Sequence, residues 1–421
     1  MEYLFTQLLR VDYELITNIT LFSNSHSPKI NYSSSRIDDE IHIPPVALLF
    51  ETNIQPQGIN LVQKNNLTYF FENDSLIGFD IFAASFYLIS RYEEYLPFKA
   101  DQYGRFPASE SLAYQADFLQ TPIIHHWTTL LKKQLHQLFP SLDFPSTRFT
   151  FQPTFDVDLA WAYLHRGLFR TAANLGKDLL TLDFTQLNHR LKVLTYQAPD
   201  PFFVFDELKI IHQKYYLSPI FFFLLGDYGK FDKNIPHHNP SLQHLITTLN
   251  TDYQVGIHPS YAANEQPQQL KKEIKRLNTI LKKDISLSRQ HFLKISFPTT
   301  YQNLINNHIQ HDYSMGYAEQ TGFRASVAQP FLWYNLKKET TTYLWIHPFQ
   351  VMEVTLKDYL KLTPEQGLEK TKKIIDSVVE VNGNFTLLWH NSSFSALDNW
   401  QEWKWVYEEI LKYATKKGNQ Q

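Results

Sequence analysis

The sequence predicts an α/β protein in which a mainly parallel sheet, open or closed into a barrel, follows a smaller α/β domain. Three observations predict it. From Phe149 onward, short apolar runs alternate with amphipathic segments, the pattern of repeated strand–helix units. The stretch PSLDFPSTRF (140–149) is punctuated by two prolines and reads as a boundary, dividing the chain into 1–147 and 148–421. Finally, 421 residues exceed one typical domain, and 43% hydrophobic with 19% charged residues supplies a large core.

In the first part, VALLF (46–50) and LTYFF (67–71) read as short strands before a helical stretch from Gly78 to Leu96. Ile81, Leu88, Ile89 and Tyr92 form its apolar stripe, with Arg91, Glu93 and Glu94 towards the polar end. A second helix is expected with Thr121 as N-cap and Pro122 at its first position. Between them, DQYGRFPASES (101–111) reads as an ordinary connection ahead of a ligand- or partner-facing loop. In the second part the strand-like runs are 149–158, 218–227, 253–260, 285–293, 309–316, 342–348 and 384–391. Helical spacing marks 267–283, through Leu270, Ile274, Leu277 and Leu281, and also 365–381.

Composition removes several function classes. Glycine, at 13, is scarce, and neither dinucleotide nor P-loop glycine motifs occur. A net charge of −3 and a pI near 6.6 give no electrostatic reason to expect nucleic acid. The 32 Phe and 24 Tyr suit a core and also a sugar-binding cleft. With no cysteine, a metal must be held by His, Asp, Glu or water. No apolar run is long enough for a membrane span, and MEYLFTQLLRVDYEL, with Glu2, Asp12 and Glu14, does not read as a signal peptide. A cytoplasmic location is the default expectation. The sequence does not set the oligomeric state.

FQPTFDVDLAW (151–161) is the chemical centre of the sequence. Its alternation places Asp156 and Asp158 on one side of a strand. Two close carboxylates repel, so one suits a cation and the other a base; a strand end that caps a helix explains the pair equally well. The later strands also deliver ionisable residues at their C-terminal ends: Asp227, His258, Arg289 with His291, Asp312, His347 and His390. That edge is where parallel α/β folds bind ligands. Asp227 reads first as a turn residue, and His347 is a weaker candidate than His258 or His390. Arg289 and His291 are expected on one face of a strand. The set suits metal-assisted hydrolysis: an Asp and imidazoles on a cation, Asp156 as base, a protonated His as acid, and Arg289 fixing the base.

These residues resemble the polysaccharide deacetylases with a NodB-type domain. Thr154-Phe155-Asp156-Val157-Asp158 is similar to that family's first motif, which implies Asp156 as base and Asp158 as metal ligand. Gly256-Ile257-His258-Pro259-Ser260 is similar to the second, but the family's paired histidine falls on Gln254 or Ala262. His291, in Ser288-Arg289-Gln290-His291-Phe292, stands ready to replace it. Asp312 resembles the fourth motif's supporting Asp, and Leu387-Leu388-Trp389-His390-Asn391 the last motif, whose His is the general acid. GFRAS (322–326) and IHPFQVMEVTL (346–356) look like a bacterial subgroup with an extra N-terminal domain.

The resemblance implies a distorted (β/α) barrel of about seven strands, a divalent metal with zinc first among candidates, and an N-acetylated sugar or glycan substrate. Two rivals remain: a metal-free or differently liganded amidase of the same fold, and a non-catalytic glycan-binding or scaffolding protein. Arg324, His347 and Asp227 are left without an assigned place in the site.

Overall fold

Each strand-like run after Phe149 contributes a strand, though some only two residues long, in a computed structural model, which describes residues 1–37, 40–64 and 67–420. The large sheet has nine strands. In chain order they are β1 Thr150–Val157, β2 Ile220–Leu224, β3 Gln254–His258, β4 Leu287–Ser288, β5 His311–Asp312, β6 Phe331–Asn335, β7 Thr340–Ile346, β8 Val351–Met352 and β9 Asn384–His390. Across the sheet the order is β6-β7-β5-β4-β3-β2-β1-β9-β8. All neighbours are parallel except the β6–β7 hairpin.

The helices used below are α1 Ile81–Ile89, α2 Ile123–Leu138, α3 Leu168–Leu180, α4 Phe184–Leu194, α5 Pro267–Leu281, α6 Pro364–Glu380 and α7 Lys404–Asn419. Helices α5 and α6 coincide with the two segments of helical spacing. Helix α6 opens on a capping box in which Thr363 and Gln366 satisfy each other's backbone amides.

The expected barrel is not a closed ladder: the hydrogen-bonded sheet has two ends, β6 and β8. The chain itself spans the gap. Residues of β7 pair with β5, and the His347 and Phe349 amides still bond to Asp312 and Met315. From the next residue the partners change: Gln350 bonds to Thr386, and Val351 and Met352 pair with Leu387 and Leu388 of β9. One extended segment thus joins the two flanks.

Period-two alternation sorts the strand residues into two faces. Phe155 on β1 and Trp389 on β9 pack against Tyr407 of α7, with ring centroids 5.6 and 5.0 Å away. Asp156 and His390, next in each strand and opposite each other in register, therefore point to the other face. Gly256 of β3 makes room there: a Cβ would meet the Phe222 ring at 2.7 Å.

The first part contributes two small ladders, Ile30–Asn31 with Ile41–His42 and Val62–Lys64 with Leu67–Tyr69. Its aromatic core around Phe70, Phe79 and Trp127 is continuous with the hydrophobic core of the sheet. Three expectations fail in detail. The run 46–50, read as a strand, is instead a short 3-10 helix over Ala47–Phe50. Helix α2 starts at Ile123 with Pro122 as its cap residue, and Thr121 makes no cap bond. The stretch 78–96 is not one helix: α1 ends at Ile89, and Arg91 takes a left-handed φ of 55°. The reason is electrostatic. Arg91, Glu93 and Glu94 turn inward, where Glu94 accepts from Arg91 at 2.7 Å and from Arg324 at 2.9 and 2.5 Å, all buried. Two guanidiniums on one carboxylate satisfy charges that a continuous helix would have left at its surface.

Candidate metal centre and catalytic rim

Beyond the ends of β1, β3 and β4, five of the expected residues meet. Asp158 Oδ1 lies 3.3 Å from His258 Nε2 and 3.7 Å from His291 Nε2. One ligand atom from each of these three residues lies within 4.8 Å of the others. The far nitrogens decide what the near ones offer. His258 Nδ1 donates to the Arg289 carbonyl at 2.6 Å, and His291 Nδ1 donates to Asp232 Oδ1 at 2.9 Å. A neutral imidazole that donates from Nδ1 carries a lone pair at Nε2. Both Nε2 atoms face Asp158 Oδ1, which is buried without a hydrogen-bond partner among the described residues, so each offers a lone pair to a cation once its proton is given up. Three converging donors with oriented outer partners suit a divalent cation.

The field of the site points the same way. Burial alone lowers the His291 pKa, but the carboxylates of Asp158 and Asp232 push it up to about 9. Burial raises the pKa of Asp158, yet the neighbouring imidazoles hold it well below the usual carboxylate range. The pocket keeps a positive charge at His291 that a cation would displace on binding.

Asp156, only 2% exposed, sits beside this trio. Its Oδ1 accepts from Arg289 Nη1 at 3.0 Å, and its Oδ2 lies 3.7 Å from His258 Nε2. Arg289 is held rigidly: Nε donates to the Tyr313 carbonyl at 2.9 Å, and the guanidinium lies 4.7 Å from the Phe222 ring centroid. Arg289 and His291 are not on a strand face as expected. Strand β4 ends at Ser288, and His291 opens a short 3-10 turn in which Phe292 has φ 60°. That turn swings His291 back towards Asp158.

His390, at the end of β9, carries a partner that the sequence reading did not identify. Glu353 Oε1 accepts from His390 Nδ1 at 2.8 Å, from its amide at 2.8 Å and from Ser393 Oγ at 2.7 Å. Burial lowers the His390 pKa, but Glu353, with Asp158 and Asp156 further off, pushes it up to about 10. Asp312, expected as a supporting residue, lies opposite Ser288 across β4 and β5. Its oxygens accept from Ser288 Oγ, Ser314 Oγ and the Ser314 amide at 2.8 to 2.9 Å, so it buttresses the β4–β5 edge.

The three unassigned residues lie elsewhere. Asp227 is on the surface with Lys272 and Arg276, which hold its pKa down to about 2. His347 hydrogen-bonds His311 at 3.0 Å and stacks on Tyr313. Arg324 belongs to the buried Glu94 cluster. The loop 101–111 is no ordinary connection. Arg105, itself buried, donates to the Phe292 carbonyl at 3.0 Å, and the Tyr103 ring centroid lies 5.0 Å from that of Phe292. The first part of the chain thus packs directly on the turn that aims His291.

Residues 1–140 match a family of unknown function (DUF7033). No curated protein matches the chain. Among solved structures, a protein of Mycobacterium smegmatis assigned to the polysaccharide deacetylases is 12% identical over 65% of this chain and 86% of that one, with a TM-score of 0.42. The polysaccharide deacetylase Bc1974 of Bacillus cereus is 11% identical over 65% and 88%, with a TM-score of 0.31. Polysaccharide deacetylases are what this chain resembles. A 4-alpha-glucanotransferase of Thermococcus litoralis also matches, at 12% identity over 64% of this chain and 37% of that one, with a TM-score of 0.35.

Proposed function

We propose that the chain is a metal-dependent hydrolase that removes N-acetyl groups from a sugar or glycan precursor. The observation that carries the reading is the convergence of Asp158, His258 and His291, with both imidazoles turned so that Nε2 faces the carboxylate. Mixed nitrogen and oxygen donors make zinc the first candidate. When bound, such a cation supplies Lewis acidity to a carbonyl oxygen and lowers the pKa of water.

The chain's own groups supply the proton transfers. Asp156 is the base: Arg289 fixes one of its oxygens and leaves the other turned towards the metal ligands. His390 is the acid. Glu353 holds its Nδ1, so Nε2 is the nitrogen left to protonate the leaving amine, and the raised pKa keeps the ring charged at neutral pH. Base and acid come from β1 and β9, which lie side by side with Asp156 opposite His390.

The metal-free alternative drew its support from the missing second histidine of the 254–262 stretch; His291 offers a third donor in its place. The division at 147 is kept as part of this reading, supported by the match over 1–140. Acetate release from N-acetylated sugar oligomers by the zinc-loaded chain tests the proposal. Release by the wild type and its loss on Asp156→Asn support it; no release from any N-acetylated sugar by protein that holds its metal contradicts it.

A further inference from the structure

Helices α3 and α4 form a hairpin inserted after β1, the strand that carries Asp156 and Asp158. Its polarity is reversed relative to a helix pair that covers a core. One ion pair faces inward: Asp178 is buried and binds Arg190 Nε at 2.6 Å, and the Arg190 guanidinium lies 4.4 Å from the Tyr163 ring centroid. The apolar residues face outward. Leu168, Phe169 and Leu180 are 93, 88 and 86% exposed, and Ala172, Ala173 and Gly176 complete the same helical face. Leu182 and Phe184 carry this surface round the turn between the helices.

A contiguous apolar face of this kind marks an interaction site. Its occupant is indicated by the charge around it. Residues 165–197 hold Arg166, Arg170, Lys177, Arg190 and Lys192 against Asp178 and Asp183, in a chain whose net charge is −3. Lys177 and Lys192 are exposed on the hairpin. Exposed Lys233 adjoins it through Tyr228, whose ring centroid lies 4.1 Å from the Arg170 guanidinium and 4.5 Å from Lys233 Nζ. Leucine and phenylalanine on one face, a lysine and arginine rim and tyrosine at the margin make up the composition of a helix that lies in an anionic membrane interface. Among the described residues no helix is long and apolar enough to cross a membrane, so the contact is with the surface.

We infer that the α3–α4 hairpin docks the protein on an anionic lipid bilayer, with the Leu168–Leu180 face in the interface and the basic rim on the headgroups. The inference does not depend on the deacetylase reading. Co-sedimentation of the full chain with phosphatidylglycerol–phosphatidylcholine vesicles, and with phosphatidylcholine vesicles alone, tests it. The wild type is expected to bind the anionic vesicles more tightly, and raised salt is expected to weaken that binding. Phe169→Glu and Leu180→Glu, at exposed positions that leave the core intact, are each expected to weaken it by roughly tenfold or more. Failure to bind anionic vesicles, or equal binding by both variants, overturns the proposal. So does a dimer in light scattering that Phe169→Glu dissociates, because the face would then belong to a second copy of the chain.

Discussion

His258 and His291 at the rim, and His311 and His347 nearer the other end of the strands, have ring centroids the same 5.1 Å apart. Spacing therefore does not distinguish them; their partners do. In the rim pair each Nδ1 donates away, to a carbonyl and a carboxylate, and a third residue, Asp158, faces both Nε2 atoms. In the lower pair His311 Nδ1 meets His347 Nε2, so each ring satisfies the other, and no carboxylate joins them among the described residues. Burial, with His311 beside it, lowers the His347 pKa to about 3, as for a neutral packed ring. His347 lines a cavity of about 240 Å³ with the first residues of β1, and both histidines line one of about 360 Å³ with the first residues of β3. Two histidines become a cation site only when an anionic third ligand and outward acceptors fix their lone pairs.

The strongest way to sharpen that contrast is to remove chemistry while keeping the cation. Asp156→Asn is expected to lower the hydrolysis rate by about 10²–10⁴ with metal content unchanged, measured as acetate release alongside elemental analysis. Weakening the outer partner comes next: Asp232→Asn is expected to reduce metal affinity by about 10–100-fold, read by competition with a chromophoric chelator.

A smaller effect is expected at the acid. In the proposed mechanism His390 must be protonated to act, and Glu353 is the largest influence that raises its pKa. The rate should fall as pH rises through the His390 pKa, and in Glu353→Gln that basic limb should move to lower pH; an unmoved limb would leave Glu353 a purely structural role. The smallest effect concerns the seam between the two parts of the chain. His125 Nε2 accepts the Ala328 amide at 3.0 Å, and burial, with His126 beside it, lowers its pKa to about 3. The unfolded chain takes up this proton near its ordinary value of about 6.5. Stability from this group is thus complete above that value and is lost as pH falls towards about 3. A His125→Gln variant, which keeps an acceptor oxygen, should show a flatter acid limb in thermal melts.

Much of the site was legible because β1 alternates and β3 and β9 are short apolar runs, each ending in a chemical residue. Asp156 and Asp158 could be placed from period two, and His258 and His390 from their position at the ends of apolar runs. The two-residue strands β4 and β5 leave no periodic record, so the turn that redirects His291 was read as strand. Asp232 sits in a loop with no pattern to expose it. Glu353 left a weak trace: a lone carboxylate in the apolar run Val351-Met352-Glu353-Val354, the sequence of a strand end that points an acid inward. Arg91 and Glu94 were misread because a charged helix end normally faces water, and only the distant Arg324 makes burial affordable.

Metal content of the purified chain tests the central claim most directly. The structure predicts about one divalent ion per chain in the wild type and in His347→Ala, and its loss in Asp158→Ala and in His291→Ala. A wild type that takes up no ion, or a His347→Ala variant that loses it while His291→Ala keeps it, would contradict the site assigned to the rim.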